Sequence, residues 1–173
     1  MRLVVLGDPV GHSLSPAIHR AGFVAAGIEG TYEPRRVDAH GMVGAVGDIR
    51  AGELDGANVT MPHKHLALAL SDRAEHTAQR AGAANTLVGD GSEVVAYNTD
   101  IIGIRAAWAE AGLPQDAPVL IVGAGGAAAA ALLALEGRDV AVTARNECYG
   151  VNTIFEEIAE VQAGRLEPPP GAT

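Results

Sequence analysis

The sequence is short of cysteine, of aromatic side chains, of basic charge and of long apolar runs, and each shortage excludes something. Its single cysteine, Cys148, has no partner for an internal disulfide, which fits a chain kept in a reducing compartment. The plain reading of that thiol is an inert small hydrophobe. Aromatic residues make up 3% of the chain, so its core must be built from aliphatic side chains. Lys and Arg number 12 against 21 Asp and Glu, a net charge of −9. Nucleic acid is therefore not expected as a partner, because phosphate backbones are bound by clustered cations. The longest uninterrupted apolar run, Ala127–Leu135, is mostly alanine and falls far short of the ~20 residues that span a bilayer. Leu3–Leu6, just behind Arg2, is too short for the apolar core of a signal peptide. A cytoplasmic, soluble chain with no membrane partner is the expectation.

What is present describes an α/β protein. Hydrophobic residues at 48% and charged residues at 19% suit a globular chain, and 173 residues allow one ordinary domain or two small ones. Leu3-Val4-Val5-Leu6 reads as a strand buried on both faces, followed by a loop over Gly7–Gly11. His12-Ser13-Leu14-Ser15-Pro16 then opens a helix through Ile18 and Phe23. Ser15 before Pro16 has the pattern of an N-cap, whereas Ser13 has no such structural duty. Two hydroxyls at a helix start suit a carboxylate. Tyr32–Val37 reads as the second strand, 40–50 as a helix and 56–60 as a third strand, with residues 71–80 as a polar surface segment. Two further strands are expected after Gly82 and over Val94–Tyr97.

The stretch Asn58-Val59-Thr60-Met61-Pro62-His63-Lys64 carries the first chemistry. Pro62 ends the strand, and Lys64 begins a helix through Leu66, Leu68 and Leu70. In open α/β sheets, ligands bind outside the carboxyl ends of the strands, where this lysine falls. A lysine also suits proton transfer, since its pKa responds readily to burial. His63 and His65 flank it, but residues two apart on a helix do not face each other, so no metal site is expected.

His12–Pro16, Asn58–Lys64, Gly82-Ala83-Ala84-Asn85-Thr86 and Asn98-Thr99-Asp100, with Gly103, occur in an order that resembles the shikimate dehydrogenase family. These blocks match the family signatures SxSP, NVTxPxK, GAxNT and NTDxxG across roughly residues 3 to 145. The resemblance implies an NADP-linked oxidoreductase of aromatic amino-acid biosynthesis that reduces 3-dehydroshikimate to shikimate. It also implies roles for particular residues. Ser13 and Ser15 would bind the substrate carboxylate, and Thr60, Asn85 and Asp100 the ring hydroxyls. Lys64 and Asp100 would form the catalytic pair, with Asn58 supporting the loop. Read without the resemblance, Asn58 and Asn85 serve equally well as turn-stabilising side chains.

After a helix over 101–111 and a turn-rich boundary at 112–116, residues 118–122 read as another buried strand. Gly123-Ala124-Gly125-Gly126-Ala127-Ala128 follows directly, and an alanine-rich helix continues from it. Strand, glycine turn and helix are the context of a dinucleotide site, with Gly123, Gly125 and Ala128 filling G-x-G-x-x-A. Asp139–Thr143 reads as the next strand, and at its tip Arg145 suits the 2′-phosphate of NADP. Glu147 is an acid placed slightly late for the ribose hydroxyl of NAD. Residues 151–163 have the pattern of an amphipathic helix behind a Thr153…Glu156 capping box, and the family's later elements do not follow. The expected organisation is a substrate domain over 1–101, built on a parallel sheet, and an incomplete NADP-binding Rossmann-type domain over 102–173. The chain is expected as a monomer or homodimer, and a shikimate-binding homologue lacking a complete cofactor site is the alternative to an active enzyme.

Overall fold

The computed structural model describes residues 1–114 and 116–144 and, for the backbone alone, 148–150. Arg145, Glu147 and the helix expected over 151–163 lie outside the described residues. Two sheets organise the rest. The first has six strands in the order β2-β1-β3-β5-β6-β4, namely β1 (Arg2–Gly7), β2 (Thr31–Arg36), β3 (Gly56–Val59), β4 (Arg73–Ala74), β5 (Thr86–Asp90) and β6 (Glu93–Tyr97). The second has three, in the order β7 (Val119–Val122), β8 (Val140–Thr143) and β9 (Cys148–Gly150). The fold is α/β, as the residue pattern implied.

The first sheet is mostly parallel, yet β5 runs antiparallel to both β3 and β6. The cause is local. Asp90 pairs with Glu93 across Gly91-Ser92, and Gly91 adopts a φ of 64°, so the chain reverses in two residues and leaves no length for a crossover. Alternation then sorts the side chains. Val4 and Leu6 of β1, Ala57 and Val59 of β3, Leu87 of β5 and Val94 and Ala96 of β6 form one core with Met42, Val46 and Ile49 of helix α2 (Ala39–Arg50). Helix α3 (Lys64–Leu70) adds Ala67 to the same core. On the opposite face, Val5, Val10 and Tyr32 pack against Phe23 of α1 (Ser15–Ala26). Asp38 caps α2 by accepting from the Gly41 N–H at 2.8 Å, and that bond holds its carboxyl below the usual range.

Two expectations fail here. The segment 71–80 is not simply polar surface. It holds β4 and helix α4 (His76–Ala81), whose Ala78 and Ala81 are buried. Residues 119–122 form a strand that is half-buried on one face, with Leu120 63% and Val122 80% exposed on the other.

Helix α5 (Asp100–Glu110) leads from the first sheet to the second, and α6 (Gly126–Ala134) joins β7 to a parallel β8 as one βαβ unit. Ile101, Ala130 and Leu133 bury against Ala81 of α4, so the two sheets meet through helices. Arg80 and Glu136 make an ion pair at 2.8 Å across the same seam. Arg105 donates to the Leu133 and Ala134 carbonyls, groups that the end of α6 leaves open.

Candidate active site

The site is assembled where β1, β3 and β6 end. Thr60 follows β3 and donates its backbone N–H to the Leu6 carbonyl at 2.8 Å, which ties the two strand ends together. Gly7 must be glycine there, because a Cβ would fall on the Thr60 methyl. His63 is 7% exposed and its Nε2 lies 2.8 Å from the Val37 carbonyl, so Nε2 carries the proton it donates. This bond pins the start of α3 to the end of β2. Lys64 follows, and its carbonyl accepts from the Ala84 N–H at 2.8 Å, bringing the Gly82–Thr86 loop alongside.

The Lys64 Nζ lies 2.6 Å from Asp100 Oδ2, with their side chains 15% and 26% exposed. Asp100 stands in the first turn of α5, where the helix dipole favours a carboxylate. Asn98, only 1% exposed, accepts from the Asp100 N–H and donates to the Ala83 carbonyl, so it joins the two loops. Asn85 Nδ2 donates to Asp100 Oδ1 at 2.8 Å, and Asn85 Oδ1 accepts from the Thr99 N–H at 2.9 Å. Behind them, Asn58 Nδ2 donates to Thr86 Oγ1 at 3.1 Å, and Tyr32 donates from its hydroxyl to Asn58 Oδ1 at 2.7 Å. The two asparagines are therefore more than turn residues; their amides are wired to the Lys64–Asp100 pair.

The serines divide their work differently from the expectation. Leu14, not Ser15, occupies the N-cap of α1, and no side chain makes the capping bond. Ser15 is already in the helix, and Ser13 Oγ accepts from the Ser15 N–H at 3.2 Å. Ser13 is thus the residue with a structural duty. Burial pushes the Tyr32 phenol up to about 12, and the nearby Ser15 hydroxyl only partly offsets that rise. The phenol stays protonated, and so a donor, far above neutral pH.

The glycine turn lies against this cluster. Gly123, with a φ of 125°, makes the turn after β7 in a conformation closed to side chains, and its N–H donates to the Thr143 carbonyl at 2.7 Å. Gly125 caps α6 with no side-chain bond, so the first-turn N–H groups have no capping side chain. A Cβ on Gly126 would come within 3.1 Å of both the Ala83 and Lys64 Cβ atoms. Ala124, Ala127 and Ala128 complete the turn and the first turn of α6 without bulk. Such a turn fits a dinucleotide pyrophosphate: donors without capping side chains, a positive helix end and no side chain in the way. Sequence reasoning missed Tyr32, Thr86, His63 and the Gly126 contact. The signal for Tyr32 was a lone aromatic in an otherwise polar strand, Thr31-Tyr32-Glu33-Pro34-Arg35-Arg36.

Residues 5–87 match the family described as the shikimate dehydrogenase substrate binding domain. The NADP(+) shikimate dehydrogenase of Exiguobacterium sibiricum is 39% identical over 147 residues, covering 85% of this chain and 56% of that protein. The Methanosarcina acetivorans protein of the same name is 41% identical over 167 residues, 94% of this chain and 60% of its own length. A crystal structure of the Thermus thermophilus enzyme in complex with NADP(H) and shikimate superposes with a TM-score of 0.80 at 36% identity, covering 97% of this chain and 63% of that one. The chain is similar to NADP(+) shikimate dehydrogenases over most of its own length. It spans little more than half the length of the Exiguobacterium relative. Among the described residues no helix is long and apolar enough to cross a membrane.

Proposed function

We propose that the chain is the shikimate-binding and acid–base part of an NADP-dependent shikimate dehydrogenase, reducing 3-dehydroshikimate to shikimate reversibly. The observation that carries this reading is the Lys64–Asp100 pair at 2.6 Å, held by Asn85 and lying against Gly126 of the glycine turn. Reduction of the ketone places charge on the carbonyl oxygen. Lys64 gives a proton to that oxygen as the charge develops, and Asp100 keeps the ammonium in place. In the reverse direction the same pair removes the hydroxyl proton. Thr60, Asn85 and Asp100 orient the ring hydroxyls, and Ser13 and Ser15 bind the carboxylate. When bound, the cofactor would supply the hydride as NADPH and take it back as NADP(+) in the reverse direction; Gly123–Ala128 is suited to its pyrophosphate, and Arg145, on sequence grounds, to its 2′-phosphate. In this reading residues 1–101 are the substrate domain and 102–173 the cofactor portion, in a chain that works as a monomer or homodimer in the cytoplasm.

One observation favours a second reading, in which the chain binds shikimate without turning it over. The described part of the cofactor sheet has three strands and leaves Leu120 and Val122 exposed. Hydride transfer needs reacting atoms ~3–3.5 Å apart, and an error of about 1 Å costs ~100-fold. The two readings part on a single assay, the loss of NADPH absorbance on addition of 3-dehydroshikimate, run beside shikimate calorimetry. Binding with slow turnover relative to the Thermus thermophilus enzyme is expected. Lys64→Ala should lower kcat and kcat/KM together by roughly 100- to 10,000-fold while shikimate still binds. A chain that binds no shikimate ends both readings.

A further inference from the structure

The Lys64–Asp100 pair sits at the end of a longer series of hydrogen bonds, every one of which donates in the same direction. The Tyr32 hydroxyl donates to Asn58 Oδ1 at 2.7 Å, and Asn58 Nδ2 to Thr86 Oγ1 at 3.1 Å. Thr86 donates to Asn85 Oδ1 at 3.0 Å, and Asn85 Nδ2 to Asp100 Oδ1 at 2.8 Å, with Lys64 closing on Oδ2. A carboxamide can be built either way round, so the sense of such a series has to be fixed by groups that cannot reverse. Two backbone groups fix it. The Asn85 carbonyl, which only accepts, faces Asn58 at 3.4 Å and so requires Nδ2 there. The Thr99 N–H, which only donates, faces Asn85 Oδ1 at 2.9 Å and so turns Nδ2 toward Asp100. Between these anchors the Thr86 hydroxyl has one proton, and with Asn58 Nδ2 already pointing at it, that proton goes to Asn85.

Tyr32 is the head of the series. It is fully buried in the apolar group with Val5, Val10 and Phe23, and the His19 ring stacks on it at 4.1 Å. With its ring so held, the hydroxyl has a fixed place. A phenol also has a single proton to give, and this one gives it to Asn58.

We infer that Tyr32 and Thr86 are positioning residues for the acid–base pair: the backbone groups set the sense of the two amides, and Tyr32 and Thr86 hold Asn58 and Asn85 in place, so that the Asn85 amide stays within reach of Asp100 and of substrate. The inference deepens the function proposed above and rests on it for its effect on substrate. The series also ends near both parts of the ligand site. Ser15, assigned to the carboxylate, stands near Tyr32 at one end, and Asn85, assigned to a ring hydroxyl, stands near the other.

The test uses the 173-residue chain with Tyr32→Phe, Thr86→Val, the double variant and Thr86→Ser. Tyr32→Phe keeps the stacked ring, and Thr86→Val keeps the side-chain shape. In the ligand-free chain, the Asn85 side-chain amide signals in nitrogen-15 NMR should move toward free-amide values in both single variants. Shikimate affinity should fall roughly three- to tenfold in each, the range one net hydrogen bond covers. The double variant should lose no more than the worse single one, because a series already broken cannot be broken again, and Thr86→Ser should restore affinity. Losses that multiply in the double variant would overturn the inference, since they would mark two independent local contacts. Unchanged Asn85 signals in Tyr32→Phe would overturn it as well. If the wild-type chain fails to bind shikimate while the Asn85 signals respond as expected, the positioning series stands and the proposed function falls.

Discussion

The six-stranded sheet and the three-stranded sheet carry different kinds of structure, although both begin with an apolar strand followed by a turn and a helix. In the first, β1 has Val4, Val5 and Leu6 all at 7% exposure or less, covered by α2 and α3 on one side and α1 on the other. In the second, β7 packs the half-buried Val119 and Ile121 toward α6 and Trp108 and turns Leu120 and Val122 to the outside. The polar groups follow the same division. Every side chain of the acid–base cluster belongs to the first sheet, to the loops and helix α3 that follow its strands, or to the start of α5, each tied to another side chain or to a backbone group of fixed sense. The second sheet contributes a glycine turn, an uncapped helix start and one steric contact at Gly126. A pyrophosphate seat needs open backbone N–H groups and room, whereas proton transfer needs oriented side-chain atoms. That difference in demand explains why the dense hydrogen bonding stops at Asp100.

The comparison can be broken most forcefully from the first sheet. Leu87 is 1% exposed and lies in the core with Val94, Met42 and Ile49. Leu87→Ala removes apolar area and leaves a cavity that β5, paired on both edges, cannot close. A loss of about 2–5 kcal/mol is expected in urea unfolding. A loss well below 1 kcal/mol would show that this core is loose, and that the two sheets differ less than their burial suggests.

Gly126 sharpens the comparison, because it is where the two sheets touch at the site. Exchanging glycine for alanine inside a helix ordinarily gains about 1 kcal/mol. Here the added methyl would come within 3.1 Å of the Cβ atoms of Ala83 and Lys64, and both are fixed by their own backbones. Overpacking of this kind costs ~1–3 kcal/mol. Gly126→Ala should therefore lower the melting temperature slightly and weaken NADP binding, while shikimate binding, whose proposed residues all lie at or before Asp100, is retained. A stabilised variant with unchanged NADP affinity would mean that α6 does not press on Lys64 in solution.

Much of this division was readable from the residues, and the failures are instructive. The blocks around Ser13, Lys64, Asn85 and Asp100 pointed to the candidate site chiefly through their resemblance to one family's signatures, and Lys64 also through its place after a strand end. The glycine turn was readable from its strand and helix. The antiparallel β5 was also available in Asp90-Gly91-Ser92, a two-residue reversal between apolar runs. The roles of Ser13 and Ser15 were exchanged because capping depends on where the helix begins, and Ser-Pro fits either the cap or the first turn. The direction of the hydrogen bonds through Asn58 and Thr86 was beyond reach, since it is set by carbonyl and N–H groups brought together from β3, β5 and the start of α5. The exposure of β7 was equally beyond reach. Val119-Leu120-Ile121-Val122 looks as buried as Leu3-Val4-Val5-Leu6, and only the elements packed on each face distinguish them.

That last point gives the smallest expected effect and the most direct check on how the second sheet is built. Leu120 is 63% exposed, so its side chain has little apolar contact to lose. Threonine is branched at Cβ and suits a strand as well as leucine does, so Leu120→Thr changes polarity without changing backbone preference. Substitutions at exposed positions without capping, pairing or backbone duties stay within about 0.5 kcal/mol. Val142, 4% exposed on the neighbouring strand β8 and facing α6, provides the contrast. Val142→Thr buries a hydroxyl among Leu132, Leu135 and Ile121, and an unpaired polar group in such surroundings costs ~1–3 kcal/mol. Urea unfolding of the two variants under one set of conditions compares the faces directly. Equal losses would mean that the outer face of β7 is covered in solution, and that the second sheet, like the first, is closed on both sides.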